Sequence, residues 1–149
     1  MAIDVSKMTL PEILKHVSDL SAGKRVDALK QIANLRKEVK VLLWYVYRND
    51  VKFELPEGSP PYKPMETPDN WGHNRLPKEM RKFEYLLATY NTNPIKREKI
   101  FIEILESVSP EEAKLILQIK DKKLSYKGFS RKLVEEALPE VFLGEKQIP

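Results

Sequence analysis

The sequence predicts an all-α fold, a single compact domain of six or seven helices with one long, ordered, proline-rich loop. Three observations predict it. Every strong hydrophobic periodicity recurs at three and four residues, the spacing of one helix face. Several of these segments open on a helix start signature, at Thr9, Asn93, Ser109 and Ser130. Prolines crowd a single stretch, Asn49 to Pro77, and leave the flanking segments free to be helical. With 149 residues, 42% apolar and 32% charged, the chain can bury a core beneath a charged surface, and the balance is not that of a disordered chain.

The elements follow in order. Thr9-Leu10-Pro11-Glu12 is a capping box, and Ile13, Leu14, Val17 and Leu20 then share a helix face. Ser21-Ala22-Gly23 breaks this helix. A second is predicted from about Lys24 to Ile32, with Val26, Leu29 and Ile32 facing inward. A third, from about Leu35 to Tyr47, is apolar around much of its circumference, so Val39, Leu42, Leu43, Val46 and Tyr47 are the expected centre of the N-terminal core. The stretch Asn49–Pro77 carries Pro56, Pro60, Pro61, Pro64, Pro68 and Pro77, which forbid a continuous helix. Phe53, Leu55, Tyr62, Met65 and Trp71 give it apolar anchors, so it is expected to be an ordered surface loop. Within it, Val51 to Leu55 alternates weakly, as a short extended piece would.

Beyond the loop, Lys78 to Tyr90 carries Met80, Phe83, Leu86 and Leu87 and is predicted helical. Asn93-Pro94 starts another helix, reaching about Ser107, with Ile100, Phe101, Ile104, Leu105 and Val108 on its apolar side. Ser109-Pro110-Glu111-Glu112 is a second capping box and opens a helix to about Lys120. Ser130 caps a last short helix to about Leu138, which Pro139 stops.

Several function classes are excluded. The chain has no cysteine, so disulfides, thiol catalysis and cysteine-ligated metals are ruled out. The longest apolar run, Val39 to Tyr47, is too short to span a bilayer, and Met1 to Lys7 lacks the apolar stretch of a secretion signal, so a cytoplasmic protein with no membrane role is expected. Of two histidines, His16 lies beside a helix stripe and His73 lies in the proline-rich loop near Asp69 and Trp71. Neither has the companions a metal site needs. The paired glutamates Glu111–Glu112 and Glu135–Glu136 sit in first turns of helices, where negative charge suits the helix dipole. There is no glycine-rich phosphate loop and no nucleophile elbow. The expectation is a binding protein without catalytic residues, cofactor or metal.

The basic charge is concentrated. Lys120, Lys122, Lys123, Lys127, Arg131 and Lys132 against Asp121 give Lys120–Lys132 a net +5, more than the +4 of the whole chain. Gly128 would let the backbone approach a ligand, and Ser130 opens a helix whose free N–H groups favour an anion. Tyr126 and Phe129 either pack under this loop or stack on a sugar or base. A second basic group, Lys96, Arg97 and Lys99, opens the helix at Pro94, where cations are unfavourable. Lys78, Arg81 and Lys82 form a third.

Four segments carry a resemblance over nearly the whole chain. They are Met8 to Leu14, Leu55 to Pro64, Arg97 to Ile102, and Lys120-Asp121-Lys122-Lys123-Leu124-Ser125-Tyr126-Lys127-Gly128. Together they resemble a family of small helical proteins of T-even-like tailed phages, including those of marine cyanobacteria. That resemblance implies action in the cytoplasm of an infected bacterial host, or in the virion. A more distant pattern is similar to the helical DNA-binding domain of phage-type ATP-dependent DNA ligases. A short helix (Ile13 to Leu20), a basic second helix and a bulky apolar third precede the late helix Glu111–Gln118. The basic turn Lys120–Gly128 and the closing stretch Arg131–Phe142 follow in the same order. The K-x-D-G nucleophile motif of the ligases is absent. The resemblance implies a stand-alone domain that grips duplex DNA largely by its backbone.

The expected function is thus non-catalytic binding of duplex DNA. Its residues would be Lys120, Lys122, Lys123, Lys127, Gly128, Ser130, Arg131 and Lys132, helped by Lys96 and Arg97. The alternative is a structural or adaptor protein. It would dock on a virion component, or on a phage or host replication or transcription machine, through the proline-rich loop and the C-terminal tail.

Overall fold

The computed structural model describes residues 5–66 and 75–143. Among them are seven α-helices: α1 (Leu10–Asp19), α2 (Ala22–Leu35), α3 (Lys37–Tyr47), α4 (Leu76–Glu79), α5 (Pro94–Glu106), α6 (Pro110–Lys120) and α7 (Arg131–Ala137). Single 3-10 segments lie at Val5–Lys7, Met80–Leu86 and Pro139–Val141. The described residues contain no strand, only an isolated antiparallel bridge between Phe53 and Leu87. The protein is all-α, as its periodicity predicts.

The caps form where the sequence places them. Thr9 Oγ1 accepts from the Glu12 amide at 3.3 Å, while the Thr9 amide donates to Glu12 Oε1 at 2.9 Å. Ser109 and Glu112 repeat the box at the head of α6. Asn93 Oδ1 accepts from the Lys96 amide at 2.7 Å, and Ser130 Oγ from the Leu133 amide at 3.2 Å.

Two segments differ from prediction. The second helix starts at Ala22 and runs on to Leu35, because Gly23 falls in the first turn, where no amide has an intrahelical partner to lose. It is separated from α3 by Arg36, whose guanidinium donates to the Val5 and Met8 carbonyls at 2.7 and 2.8 Å. The expected helix Lys78–Tyr90 does not form as such. After one turn of α-helix the chain tightens into a 3-10 helix over Met80–Leu86. Leu87 is extended; the Glu54 amide donates to the Leu86 carbonyl at 2.9 Å and the Ala88 amide to the Lys52 carbonyl at 2.8 Å. The spacing explains this. Met80, Phe83 and Leu86 are three apart and all buried, which suits three residues per turn. An α-helix would rotate Leu86 about 120° away from Met80.

One core runs from Val5 to Val141. α6 packs against α1, α3 and α5, and α2 packs against α1, α3 and α7. α3 buries Val39, Leu42, Leu43 and Val46 as expected, and also Trp44 and Tyr45, while Tyr47 is half-buried. Tyr45 meets Phe83 edge-on at 5.4 Å and Phe53 at 5.8 Å between ring centroids. Burial, and then the charge of Glu84, holds its hydroxyl well above the usual tyrosine range. Phe53, Leu55 and Tyr62 of the proline-rich loop pack on the core. Trp71 and His73, together with Asp69, lie outside the described residues, as does the tail beyond Leu143.

Candidate nucleic-acid interface

The loop between α6 and α7 is held at both ends by the same turn of chain. α6 closes in a Schellman motif: the Lys122 amide donates to the Ile119 carbonyl and the Lys123 amide to the Gln118 carbonyl, both at 3.0 Å. Lys122 occupies the left-handed position of that motif, at φ 58°, where glycine is usual. Its ammonium group donates to the carbonyls of Arg48, at 2.6 Å, and Val51. At the other end, Arg131 donates to the Tyr47 carbonyl and to Glu135, both at 2.7 Å, and its guanidinium lies 4.5 Å from the centre of the Phe142 ring.

The middle of the loop is tied to the corner between α1 and α2. Ser18 Oγ donates to the Lys127 carbonyl at 2.6 Å. Arg25 donates to the Ser18 carbonyl at 3.0 Å and lays its guanidinium across Gly128. A Cβ on Gly128 would come within 2.3 Å of Arg25 Nη1, and its φ is +83°. Beneath the loop, Tyr126 meets Phe129 edge-on at 6.4 Å. Phe129 is buried, and burial, then the Glu111 charge, pushes the half-buried Tyr126 hydroxyl up. Of the two roles open to these rings, they take packing.

The structure redistributes the predicted residues. Lys120 is buried. Its ammonium donates to the Pro56 and Gly58 carbonyls at 2.8 and 2.7 Å beside Asp121, and so fastens the proline-rich loop instead of facing solvent. Arg97 is likewise buried and donates to the Tyr90 carbonyl at 2.6 Å. Lys122 and Arg131 are the loop's two pins, Arg131 with its side chain still 43% exposed. Gly128 is favoured by its left-handed φ of +83° beneath the Arg25 guanidinium, and Ser130 is a cap. Lys123, Lys127 and Lys132 are exposed on the loop and the start of α7. Lys96 is exposed elsewhere, on α5, whose neighbours are α6 and the Met80–Leu86 helix.

Sequence reasoning missed Ser18, Lys24 and Arg25. Lys24 is exposed beside Arg25 in the first turn of α2. That turn carries no acid, and the Ser21 side chain makes no cap hydrogen bond. The signal was present, since it is the same misfit of cations at a helix start noted at Pro94. Among the described residues no group of three histidine, cysteine or acidic side chains is placed to hold a metal. No described helix is long and apolar enough to cross a membrane.

Fold and loop together define a small all-α domain that presents a braced basic loop. The chain belongs to a family of unknown function, DUF6433, whose model matches residues 13–126. No curated protein matches it, and no solved structure does.

Proposed function

We propose that this protein binds duplex DNA without catalysis, by contacts to the phosphate backbone. One observation carries the reading. The loop 121–130 is braced at three points and holds Lys123 and Lys127 outward, with Lys24, Arg25 and Lys132 on the elements that brace it. A loop already ordered loses little freedom on binding, and lysines gain from releasing counterions. With Tyr126 and Phe129 packed inward, the loop has no ring for base stacking, which favours phosphates over unpaired bases. The resemblance to the ligase DNA-binding pattern supports the same ligand. The resemblance to proteins of T-even-like phages supports a setting in an infected bacterium or a virion.

Fluorescence anisotropy on a random-sequence duplex, titrated with salt, tests this. With about four phosphate contacts, log affinity should fall against log salt with a slope of roughly −3.5. Changing Lys123, Lys127 and Lys132 together to glutamine should lower that slope by about three, equally for unrelated sequences, because phosphates carry no sequence code. Absence of binding at about 50 mM salt refutes the reading. A protein partner captured in nuclease-treated lysate would then favour docking on a phage or host assembly.

A further inference from the structure

A second surface lies on the outer side of Lys78–Tyr90. Tyr85 and Tyr90 are 37% and 41% exposed, and their rings meet edge to face, 4.9 Å apart at 73°. An edge-to-face pair engages one face of one ring and an edge of the other, and both side chains remain partly open to solvent. Leu76, Met80, Phe83 and Leu86 take the inner side. In a 3-10 helix, side chains three apart eclipse at a rise of about 6 Å per turn. Within Met80–Leu86, Lys82 therefore stands in line with Tyr85 and Arg81 with Glu84, while Lys78 lies on the α-helical turn just before.

We propose that this face is a binding site for unpaired nucleotides of a single-stranded nucleic acid, with a tyrosine ring stacking a base and Lys78, Arg81 and Lys82 holding the flanking phosphates. The three cations are exposed. Lys82 reaches Glu79 at 3.1 Å and keeps a side chain 53% exposed. Glu79 itself is buried, while Glu84 and, beside the Phe53–Leu87 bridge, Glu54 and Lys52 are exposed. The backbone of Tyr90 is held from both sides. The Tyr90 amide donates to the Leu87 carbonyl at 3.0 Å, and buried Arg97 holds the Tyr90 carbonyl at 2.6 Å. Every base offers a π-face, so stacking of this kind is tolerant of sequence. The inference is independent of the duplex surface, which lacks exposed rings.

The test uses the full chain and short labelled oligothymidylate and oligouridylate, read by anisotropy. Replacing Tyr85 and Tyr90 together by alanine should weaken binding about tenfold and leave duplex affinity unchanged. The double phenylalanine variant should bind as the wild type does. The double leucine variant, apolar but without a π-face, should bind as poorly as alanine. If the alanine variant fails to fold, the phenylalanine and leucine pair decides. Tyrosine-dependent binding of either strand supports the site, and the tighter of the two names DNA or RNA. Wild-type protein that binds neither overturns it. So does a leucine variant that binds fully, because the rings would then not be stacking on bases. A Lys123, Lys127 and Lys132 glutamine variant that loses single strands as completely as duplex also overturns it, because the basic loop would then be the site.

Discussion

Glu112 shows how much one side chain decides here. It is fully buried. Its Oε1 accepts from Ser109 Oγ at 3.0 Å and from the Ser109 and Arg75 amides at 3.3 Å; its Oε2 accepts from the Leu76 amide at 2.8 Å. One carboxylate thus caps α6 and fixes the start of α4. Removing it strands several buried donors, each costly when unpaired. Glu112→Ala should destabilise by about 3 kcal/mol, whereas Ser109→Ala, which removes one cap partner, should cost about 1 kcal/mol. Urea midpoints of the two variants measure this. Equal shifts would mean that the α4 contacts contribute nothing. The capping role of Glu112 was legible from its spacing to Ser109. Its role toward Arg75 and Leu76 was not, because no local pattern records a partner 36 residues away.

In the loop between α6 and α7, Gly128 holds a left-handed backbone beneath the Arg25 guanidinium. Gly128→Ala should cost about 1–2 kcal/mol from the left-handed backbone alone, and more from the collision with the guanidinium. Adding Arg25→Ala should recover the collision part and leave the backbone part. A thermal-denaturation double-mutant cycle separates the two; purely additive effects would mean that the two residues do not meet. The Met80–Leu86 helix carries a related lesson. Its inward residues fit both a 3-10 and an α reading over one turn, and only the strict spacing of three through Leu86 favours the tighter form. The bridge to Phe53 then ends it, through a segment distant in sequence.

The described residues share one core, which runs from Val5 to Val141. Unfolding should therefore be a single cooperative step, with far-UV and near-UV circular dichroism giving coincident urea transitions. Two separated transitions would divide the domain. Basic side chains help to join it. Arg25, Arg36, Arg48, Arg97, Lys120, Lys122 and Arg131 each donate to a backbone carbonyl outside their own turn. Four of these come from the ten residues expected to bind DNA, which leaves a smaller and more sharply placed set of exposed lysines.

The sequence by itself determined the helical class and the cap residues of α1, α5, α6 and α7. Both are encoded within a turn or two of chain, by the 3.6-residue period and by an oxygen placed to accept from the first free amides. Only the tertiary structure decided which cations face water. Buried Lys120 reaches carbonyls 64 and 62 residues away and half-buried Lys122 one 74 residues away, and a lysine buried on a carbonyl reads in sequence like a lysine in solvent. A long side chain can bring its charge to any strand of backbone that packing carries past it. The partner is therefore set by which segments meet in the fold, and composition records the charge without its destination.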